Sequence, residues 1–353
     1  MKIHSLTSSM FFLDKHQSCF LKGIAIIIIL LHNFFHWLPP RIGEHELNYS
    51  SKITEAFFYA LVEHPQKIFH IIISYVGYIA ISLFVFLSGY GLVKKYHAHN
   101  YSLIKLIFLQ IVKVYELYLV SIYVFILFYL CQGWPIPWLG ILNCLSLTNN
   151  FIPSKVFFLN GPWWFFSLII QLYIVFPILY NFIFINKRNF AILLIGYYVS
   201  IYILTFYFNI NTAYLYANFI GHIPEFSLGI FLSLFPQNLE NKKSILILSI
   251  ISFCGSMISS ILHPFSFILG AIFLLVIGSC LYHILNKKLI LIFYSIGILS
   301  PFLFGVHGFL RKPFMDMIPD KMNGYFCMIA FLLWFLTCVL IASFLFLLKK
   351  FLK

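Results

Sequence analysis

Charged residues are scarce in this chain: only 9% of its 353 residues are Asp, Glu, Lys or Arg, whereas soluble domains carry about 25%. Hydrophobic residues make up 62% of the sequence, and the mean hydropathy is +0.96. This composition excludes a soluble globular protein. It is typical of a polytopic membrane protein that lies in the lipid bilayer over most of its length.

Motifs for metal binding and for redox chemistry are also missing. The seven cysteines form no C-x-x-C pair and no Cys/His spacing typical of a metal site, so we expect no metal. Only Cys131 and Cys144 are placed to meet on one side of a membrane. No tandem repeat is visible, and no inverted pair of Gly/Pro-broken helices of the kind found in many transporters. The start of the chain lacks the features of a cleaved signal peptide, so we expect the first helix to direct insertion.

Apolar windows of about 20 residues, the length that spans a bilayer as a helix, cover most of the sequence. About ten can be placed, near residues 21–37, 68–93, 108–131, 163–185, 189–208, 217–235, 244–262, 265–285, 289–310 and 325–348. They leave no room for a soluble domain. The sequence therefore predicts a single all-α transmembrane bundle over residues 1–353.

The distribution of Lys and Arg orients this bundle. If the amino terminus is cytoplasmic, 16 of the 23 basic residues, from Lys2 to Lys353, fall on the cytoplasmic side. The opposite side keeps Arg41, Lys52, Lys67, Lys155, Arg311, Lys312 and Lys321. This bias predicts ten spans with both termini in the cytoplasm. Because the basic residues occur as pairs at successive helix ends and form no continuous patch, nucleic-acid binding is not indicated.

The first window contains three titratable residues, Lys22, His32 and His36. Such a group in hydrocarbon costs roughly 2 to 4 kcal/mol, so it usually faces a cavity. Ten residues of helix separate Lys22 from His32 by about 15 Å, which predicts Lys22 near the cytoplasmic surface and His32 near the midplane. His36 follows one turn later on the same face and offers a second imidazole that can act as a general base. The alternative is that Lys22 only anchors the helix and the histidines only bridge neighbouring helices.

Two stretches outside the windows are long enough to form structure. In the first, residues 38–67, the segment Lys52–Glu63 is expected to form a short helix at the membrane interface. The second, residues 132–162, is rich in Trp and Pro and predicts a cap over a cavity mouth. Within the third window, Glu116 is expected to pair with Lys113, which lies three residues earlier.

Six segments carry a resemblance that extends over nearly the whole chain. They are KGIA leading to a histidine at Lys22–His32, LFVFLSGYGL at Leu83–Leu92, LQIVKVYELYLV at Leu109–Val120, NGPWWFFSLIIQLYIVFPIL at Asn160–Leu179, HIPEFSLGIFLS at His222–Ser233 and SPFLFGVHGFL at Ser300–Leu310. In this order and on this hydropathy profile, they resemble the acyltransferase-3 family of integral membrane acyltransferases, which includes bacterial O-acetyltransferases that act on cell-surface glycans.

The sequence departs from the family pattern at three places. The family commonly has a basic residue, ten intervening residues and then a histidine, but here Asn33 occupies the histidine position. Either His32, together with His36, supplies the base, or Asn33 replaces it. Gln110 stands in place of the first arginine of an R-x-x-R pair, so one cation for the donor is missing. Gln171 occupies a position that is frequently glutamate.

The resemblance implies an enzyme of the bacterial inner membrane that transfers acetyl from acetyl-CoA to a hydroxyl of an extracytoplasmic or lipid-linked glycan, without a permanently bound cofactor. His32 or His36 is then the general base. The expected cations for the donor are Lys22, Lys94, Lys95 and Lys113. The expected substrate-binding residues are Ser88, Trp164, Glu225, His307 and Arg311, each with a structural alternative such as helix packing or ion pairing. Two other classes stay open: a transporter or flippase of a lipid-linked saccharide, and an inactive acyl-CoA-binding relative.

Overall fold

The computed structural model describes residues 13–99, 101–236 and 242–351, so Lys2 and Lys353 of the predicted cytoplasmic set lie outside it. Within these ranges the chain is helical and contains no strand. In chain order the α-helices are α1 (Lys15–Phe35), α2 (Ser51–Glu63), α3 (Ile68–Val76), α4 (Ala80–Ala98), α5 (Leu103–Cys131), α6 (Trp138–Leu145), α7 (Trp164–Ile185), α8 (Arg188–Tyr202), α9 (Ala213–Tyr216), α10 (Ile223–Leu234), α11 (Lys242–Ile258), α12 (Ser266–Ile284), α13 (Lys287–Asp316) and α14 (Gly324–Phe351).

Eight helical segments of the described chain are long and apolar enough to cross a membrane. They are Lys15–Phe35, Pro65–Ala98, Leu103–Cys131, Gly161–Ile185, Arg188–Tyr207, His263–Ile284, Lys287–Asp316 and Gly324–Phe351. Eight of the ten predicted windows coincide with them. The other two windows contain shorter apolar helices, Phe219–Leu234 and Leu246–Ile258. The chain is a multi-pass helical membrane protein, and the cytoplasmic location of both termini stays a prediction.

Helix α1 begins earlier than its apolar run. The Asp14 carboxylate accepts a hydrogen bond from the Gln17 backbone N–H at 2.6 Å, and the Gln17 side chain accepts one from the Asp14 N–H at 3.2 Å. This capping box starts the helix at Lys15. As a result, His32 lies in the last turn of α1 rather than at its middle. The depth of His32 in the bilayer stays a prediction.

Helices α1 and α13 approach each other at two glycines. A Cβ atom on Gly23 would overlap the Phe293 carbonyl, and one on Gly297 would overlap the Cys19 carbonyl. Small residues permit such close contact between membrane helices. Because α1 and α13 pack along their length, the ends of both helices lie together, and a guanidinium nitrogen of Arg311 donates to the Asn33 carbonyl.

Both stretches outside the windows fold. The helix predicted over Lys52–Glu63 is α2, and residues 132–162 form α6 and short 3₁₀ turns. Cys131 and Cys144 are free thiols. The predicted Glu116–Lys113 pair is wrong, because the end of α14 brings Lys349 to within 3.6 Å of Glu116.

Candidate functional site

A cavity of about 540 Å³ lies at the end of the bundle where α1, α5 and α13 end and α7 begins. We call it the outer cavity, because the positive-inside distribution predicts that this end is extracytoplasmic. Four of the predicted site residues line it: His32, His36, Trp164 and Arg311. Trp134 and residues 157 and 159–162 also line it, so the Trp- and Pro-rich stretch forms part of the cavity wall, and its role as a cap over the mouth stays a prediction.

Both ring nitrogens of His32 have a contact partner. Nδ1 lies 3.1 Å from the Ile73 carbonyl, which can only accept, so Nδ1 carries a proton and donates it. Nε2 lies 2.6 Å from Oε2 of Glu44. That oxygen makes no directional hydrogen bond within the described chain, so the contact is electrostatic. The Ile73 bond leaves Nε2 as the ring atom that can gain or lose a proton.

Glu44 lies between two imidazoles. Its Oε2 is 3.8 Å from Nδ1 of His36, and the two histidine rings are 5.3 Å apart between centroids. Burial opposes ionisation of Glu44, but the facing His32 and then His36 outweigh burial and hold the pKa of Glu44 below its ordinary value. The carboxylate is therefore ionised at neutral pH.

The same three side chains could hold a metal ion, since their ligand atoms all lie within 4.8 Å of one another. Two ligands on one zinc ion, each about 2.1 Å from it, lie about 3.4 Å apart in a tetrahedral site. The His32–Glu44 distance of 2.6 Å is shorter than that. A metal would therefore have to separate this pair, and the present geometry is that of a direct imidazole–carboxylate contact.

The turn between α3 and α4 packs closely against His32. Residues Gly77–Ile79 form a 3₁₀ turn there. A Cβ atom on Gly77 would lie 2.6 Å from Cβ of His32 and 3.2 Å from its Nδ1. Gly77 therefore makes room for the imidazole, and the Ile73 carbonyl one turn earlier fixes its tautomer.

A buried polar network anchors the loop that carries Glu44. The His45 Nδ1 atom accepts from the Ser50 N–H, so Nε2 carries the proton and faces the hydroxyls of Thr54 and Tyr75 at 3.1 and 3.0 Å. Burial lowers the pKa of His45 to about 4, so this ring is neutral at physiological pH. His263 reaches the His45 carbonyl through Nε2 at 3.1 Å. The network fixes the backbone on one side of Glu44.

Glu46 lines the outer cavity on the other side of His45. Burial, followed by the negative charge of Glu44, raises the pKa of Glu46 well above 4.5. The folded protein keeps this proton at pH values where the unfolded chain has lost it. Stability therefore falls as the pH rises from about 4.5 through the folded-state pKa.

We expect Glu46→Gln to raise the melting temperature at pH 8 by about 2 °C or more and to leave it unchanged near pH 4.5. The neutral amide avoids the cost of ionising a buried carboxyl. Differential scanning fluorimetry of the purified protein measures both values. Glu63→Gln, an exposed position at the end of α2, is the control and should change neither. An equal gain at both pH values would show that Glu46 does not titrate as inferred.

Arg311 is fixed close to the two histidines. Besides its bond to the Asn33 carbonyl, its guanidinium lies 4.9 Å from the centroid of the Trp37 ring, a cation–π distance. Asn33 itself lines the cavity and donates from its amide to the Ile29 carbonyl at 3.1 Å. The positive charge of Arg311 therefore faces the same space as His32 and His36.

A second cavity, of about 450 Å³, lies between α5, α13 and α14 toward the opposite end of the bundle. We call it the inner cavity. Its polar lining is Gln110, Lys113, Lys349 and Lys350, and its apolar lining is Val114, Leu117, Ile298, Pro301, Phe302 and Phe346. Lys95 donates to the side-chain oxygen of Gln110 at 2.7 Å. A cation thus reaches the position at which the sequence lacks an arginine.

The remaining predicted site residues line neither cavity. Lys22 and Lys113 each lie close enough to Lys95 for the charges to repel. Three of the four predicted donor cations therefore lie near one another. Lys94 lies over the Tyr90 ring at 5.4 Å. Their donor roles stay predictions.

Three predicted substrate residues are engaged in contacts inside the bundle. Ser88 lies near the side chain of Tyr173. Glu225 is fully buried and lies 2.6 Å from Nδ1 of His222. His307 is fully buried, and its Nδ1 donates to the Leu303 carbonyl at 3.0 Å. Both the structural and the substrate roles of these residues stay predictions.

Sequence reasoning missed Glu44. The residue lies in a loop with no periodic pattern, and its distance of twelve positions from His32 matches no motif. The signal in the sequence was a pair of acids, Glu44 and Glu46, on either side of a histidine. They follow the end of the first helix that carries His32 and His36, on the same predicted side of the membrane. The fold of residues 36–50 over the end of α1 turns this acidic loop into part of the cavity wall.

The chain was compared with protein families and with known proteins. A family model described as an acyltransferase domain matches residues 16–349, nearly the whole chain. No curated protein and no solved structure matches it. The match begins one residue after the start of α1 and ends within α14, so it includes the lining of the outer cavity and all of the inner lining except Lys350. The chain belongs to the acyltransferase-3 family of membrane proteins.

Proposed function

We propose that this protein is an O-acetyltransferase of the bacterial inner membrane that transfers acetyl from acetyl-CoA to a hydroxyl of an extracytoplasmic or lipid-linked glycan. The observation that carries the proposal is the contact of 2.6 Å between Nε2 of His32 and the Glu44 carboxylate in the wall of the outer cavity. The Ile73 carbonyl holds Nδ1 and leaves Nε2 as the base, and Glu44 lies beside Nε2, so the carboxylate must turn aside when the acceptor hydroxyl enters.

In this mechanism the acceptor hydroxyl enters the outer cavity and donates to Nε2 of His32. As the oxygen attacks the thioester carbonyl, Nε2 takes the proton, and Glu44 stabilises the imidazolium that forms. Arg311 faces the same space and stabilises the developing negative charge on the carbonyl oxygen. The C–S bond then breaks, and the imidazolium returns the proton to the departing thiolate.

His36 gives Glu44 a second partner. When an acceptor occupies the space at Nε2 of His32, the carboxylate can turn toward Nδ1 of His36, now 3.8 Å away. We assign His32 as the base because its tautomer is fixed by Ile73 and its side chain is 6% exposed, against 20% for His36. Its lower contact with water protects the reacting proton from exchange with solvent.

The donor fits the inner cavity. The lysines at its polar end can bind the phosphates of an acyl-CoA, and its apolar wall can pack against the less polar part of that molecule. Pro301 lines the inner cavity and Phe304, three residues later on α13, lines the outer one. Three residues of helix rise about 4.5 Å, so only a thin layer separates the two spaces. In that layer Gly305 packs directly against Ser121 of α5.

Lys113→Gln should raise the KM for acetyl-CoA about tenfold and change kcat little, because the charge contributes to donor binding and not to the chemical step. Initial rates with varied acetyl-CoA measure both constants. Lys187→Gln, an exposed lysine at the start of α8 that lines neither cavity, is the matched control. Equal KM values for Lys113→Gln and wild type would place the donor elsewhere.

Gly77→Ala should lower kcat about tenfold, because the new methyl group must displace the His32 ring, and misplacement of about 1 Å can cost more than that. Gly91→Ala in α4 is the matched control, since its added methyl group meets open space. Comparison of kcat and of melting temperature for the two variants separates displacement of the base from general destabilisation. Unchanged kcat in Gly77→Ala would show that the ring position does not limit turnover.

The direct test uses purified protein in lipid nanodiscs with acetyl-CoA labelled in the acetyl group and a mixture of cell-envelope glycans. Labelled glycan is the expected product, and its loss on mild alkaline treatment identifies an O-ester. Release of CoA without labelled glycan would contradict transfer to this acceptor class. Movement of a lipid-linked saccharide across the membrane without any labelled product would favour the flippase alternative.

A further inference from the structure

The outer cavity carries four cationic side chains besides its histidines. They are Arg41, Arg311, Lys312 and Lys321. Within the described residues, none of the four forms an ion pair with a carboxylate. Glu44 attracts Arg311 but is in contact with His32. Cations that face a cavity without a carboxylate partner favour an anionic ligand, because that ligand supplies the missing countercharge.

Aromatic faces accompany two of these cations. The Arg311 guanidinium lies over Trp37, and Nζ of Lys312 lies 5.0 Å from the centroid of the Trp134 ring. Trp134 also contacts Tyr129 edge to face at 5.3 Å. The negative face of such a ring attracts the weakly positive C–H face of a sugar. The wall therefore places cations and flat aromatic surfaces side by side.

We infer that the acceptor is an acidic saccharide, one whose sugar rings pack on the aromatic wall while its carboxylate or phosphate group binds the cations. This inference rests on the proposed function and adds the acceptor's chemical class to it. Arg311 keeps its role at the thioester carbonyl, and because it is bonded to the carbonyl of the residue after His32, it marks the end of the cavity at which the accepting hydroxyl lies. Lys312 and Lys321 then bind acidic groups nearer the mouth.

The test is a binding measurement, so it does not depend on turnover. Isothermal titration calorimetry on the full-length protein in nanodiscs compares an oligogalacturonate with its methyl ester of the same length. A second arm compares a phosphorylated oligosaccharide with its dephosphorylated form and distinguishes a carboxylate from a phosphate preference. We expect at least one acidic form to bind tenfold or more tighter than its neutral partner in low salt, with the advantage decreasing as salt is added.

The double variant Lys312→Gln/Lys321→Gln should reduce this preference about tenfold. Lys155→Gln is the matched control, because Lys155 is an exposed lysine of the same predicted side that does not line the cavity. Equal binding of acidic and neutral forms in both arms would overturn the inference, as would a full preference in the double variant. If acidic forms bind preferentially but receive no acetyl group, the proposed function fails and the ligand class stands. If neutral glycans are acetylated as well as acidic ones, the ligand class fails and the function stands.

Discussion

His32→Gln should lower turnover about 1,000-fold, because a general base contributes roughly 10²- to 10⁴-fold to such a reaction. This loss corresponds to about 4 kcal/mol of transition-state stabilisation. Glutamine keeps an amide N–H that can donate to the Ile73 carbonyl, but it offers no atom that takes a proton at neutral pH. Binding of acetyl-CoA should be unchanged, since the inner cavity lies toward the other end of the bundle. Single-turnover measurements with saturating donor report the chemical step directly.

Two further variants make the result specific. His70→Gln is the matched control: His70 is also buried, packs on Phe35 beside the end of α1, and does not line the cavity. It should keep nearly full turnover. His36→Gln should cost about tenfold, because His36 only supports Glu44. If His36→Gln lost 1,000-fold while His32→Gln kept more than a tenth of the wild-type rate, the base would be His36 and the assignment made from the Ile73 contact would be wrong.

The sequence was sufficient for the fold class because long apolar windows have few structural alternatives in a bilayer. Eight of them are helices of spanning length, and the family resemblance placed on six segments agrees with the match over residues 16–349. The start of α1 was not predictable from the apolar run. The capping box formed by Asp14 and Gln17 starts the helix at Lys15, so His32 lies in the last turn of α1.

The site was only partly predictable, for the same kind of reason. His32 and His36 were visible because a titratable group in an apolar window is expensive and therefore conspicuous. Glu44 lies in a loop outside the apolar windows, where a carboxylate in the sequence implies no desolvation cost and therefore does not stand out. Likewise, Gln110 looked like a missing cation, but Lys95 from another helix supplies one at 2.7 Å. A charged group that is missing at one position of a motif can be supplied by a residue that is distant in sequence.

Glu44→Gln should lower kcat about 100-fold while leaving the KM for acetyl-CoA within about twofold of wild type. The amide has nearly the shape of the carboxylate but no charge, so the imidazolium formed at His32 loses the group that stabilises it at 2.6 Å. Glu44→Asp keeps the charge on a shorter side chain and should fall between Glu44→Gln and wild type. Steady-state kinetics with an acceptor glycan measure both constants.

The pH dependence separates this electrostatic role from a merely structural one. Burial opposes ionisation of Glu44, but the histidines hold its pKa below its ordinary value, so the wild-type carboxylate is ionised at neutral pH and its own titration does not shape the rate there. Glu44→Gln removes this negative charge from beside the base, so the pH–rate profile of the variant should differ in position from that of wild type. A structural defect would lower the rate equally at every pH. An unshifted profile, together with a lower melting temperature, would therefore assign Glu44 to loop packing and remove it from proton transfer.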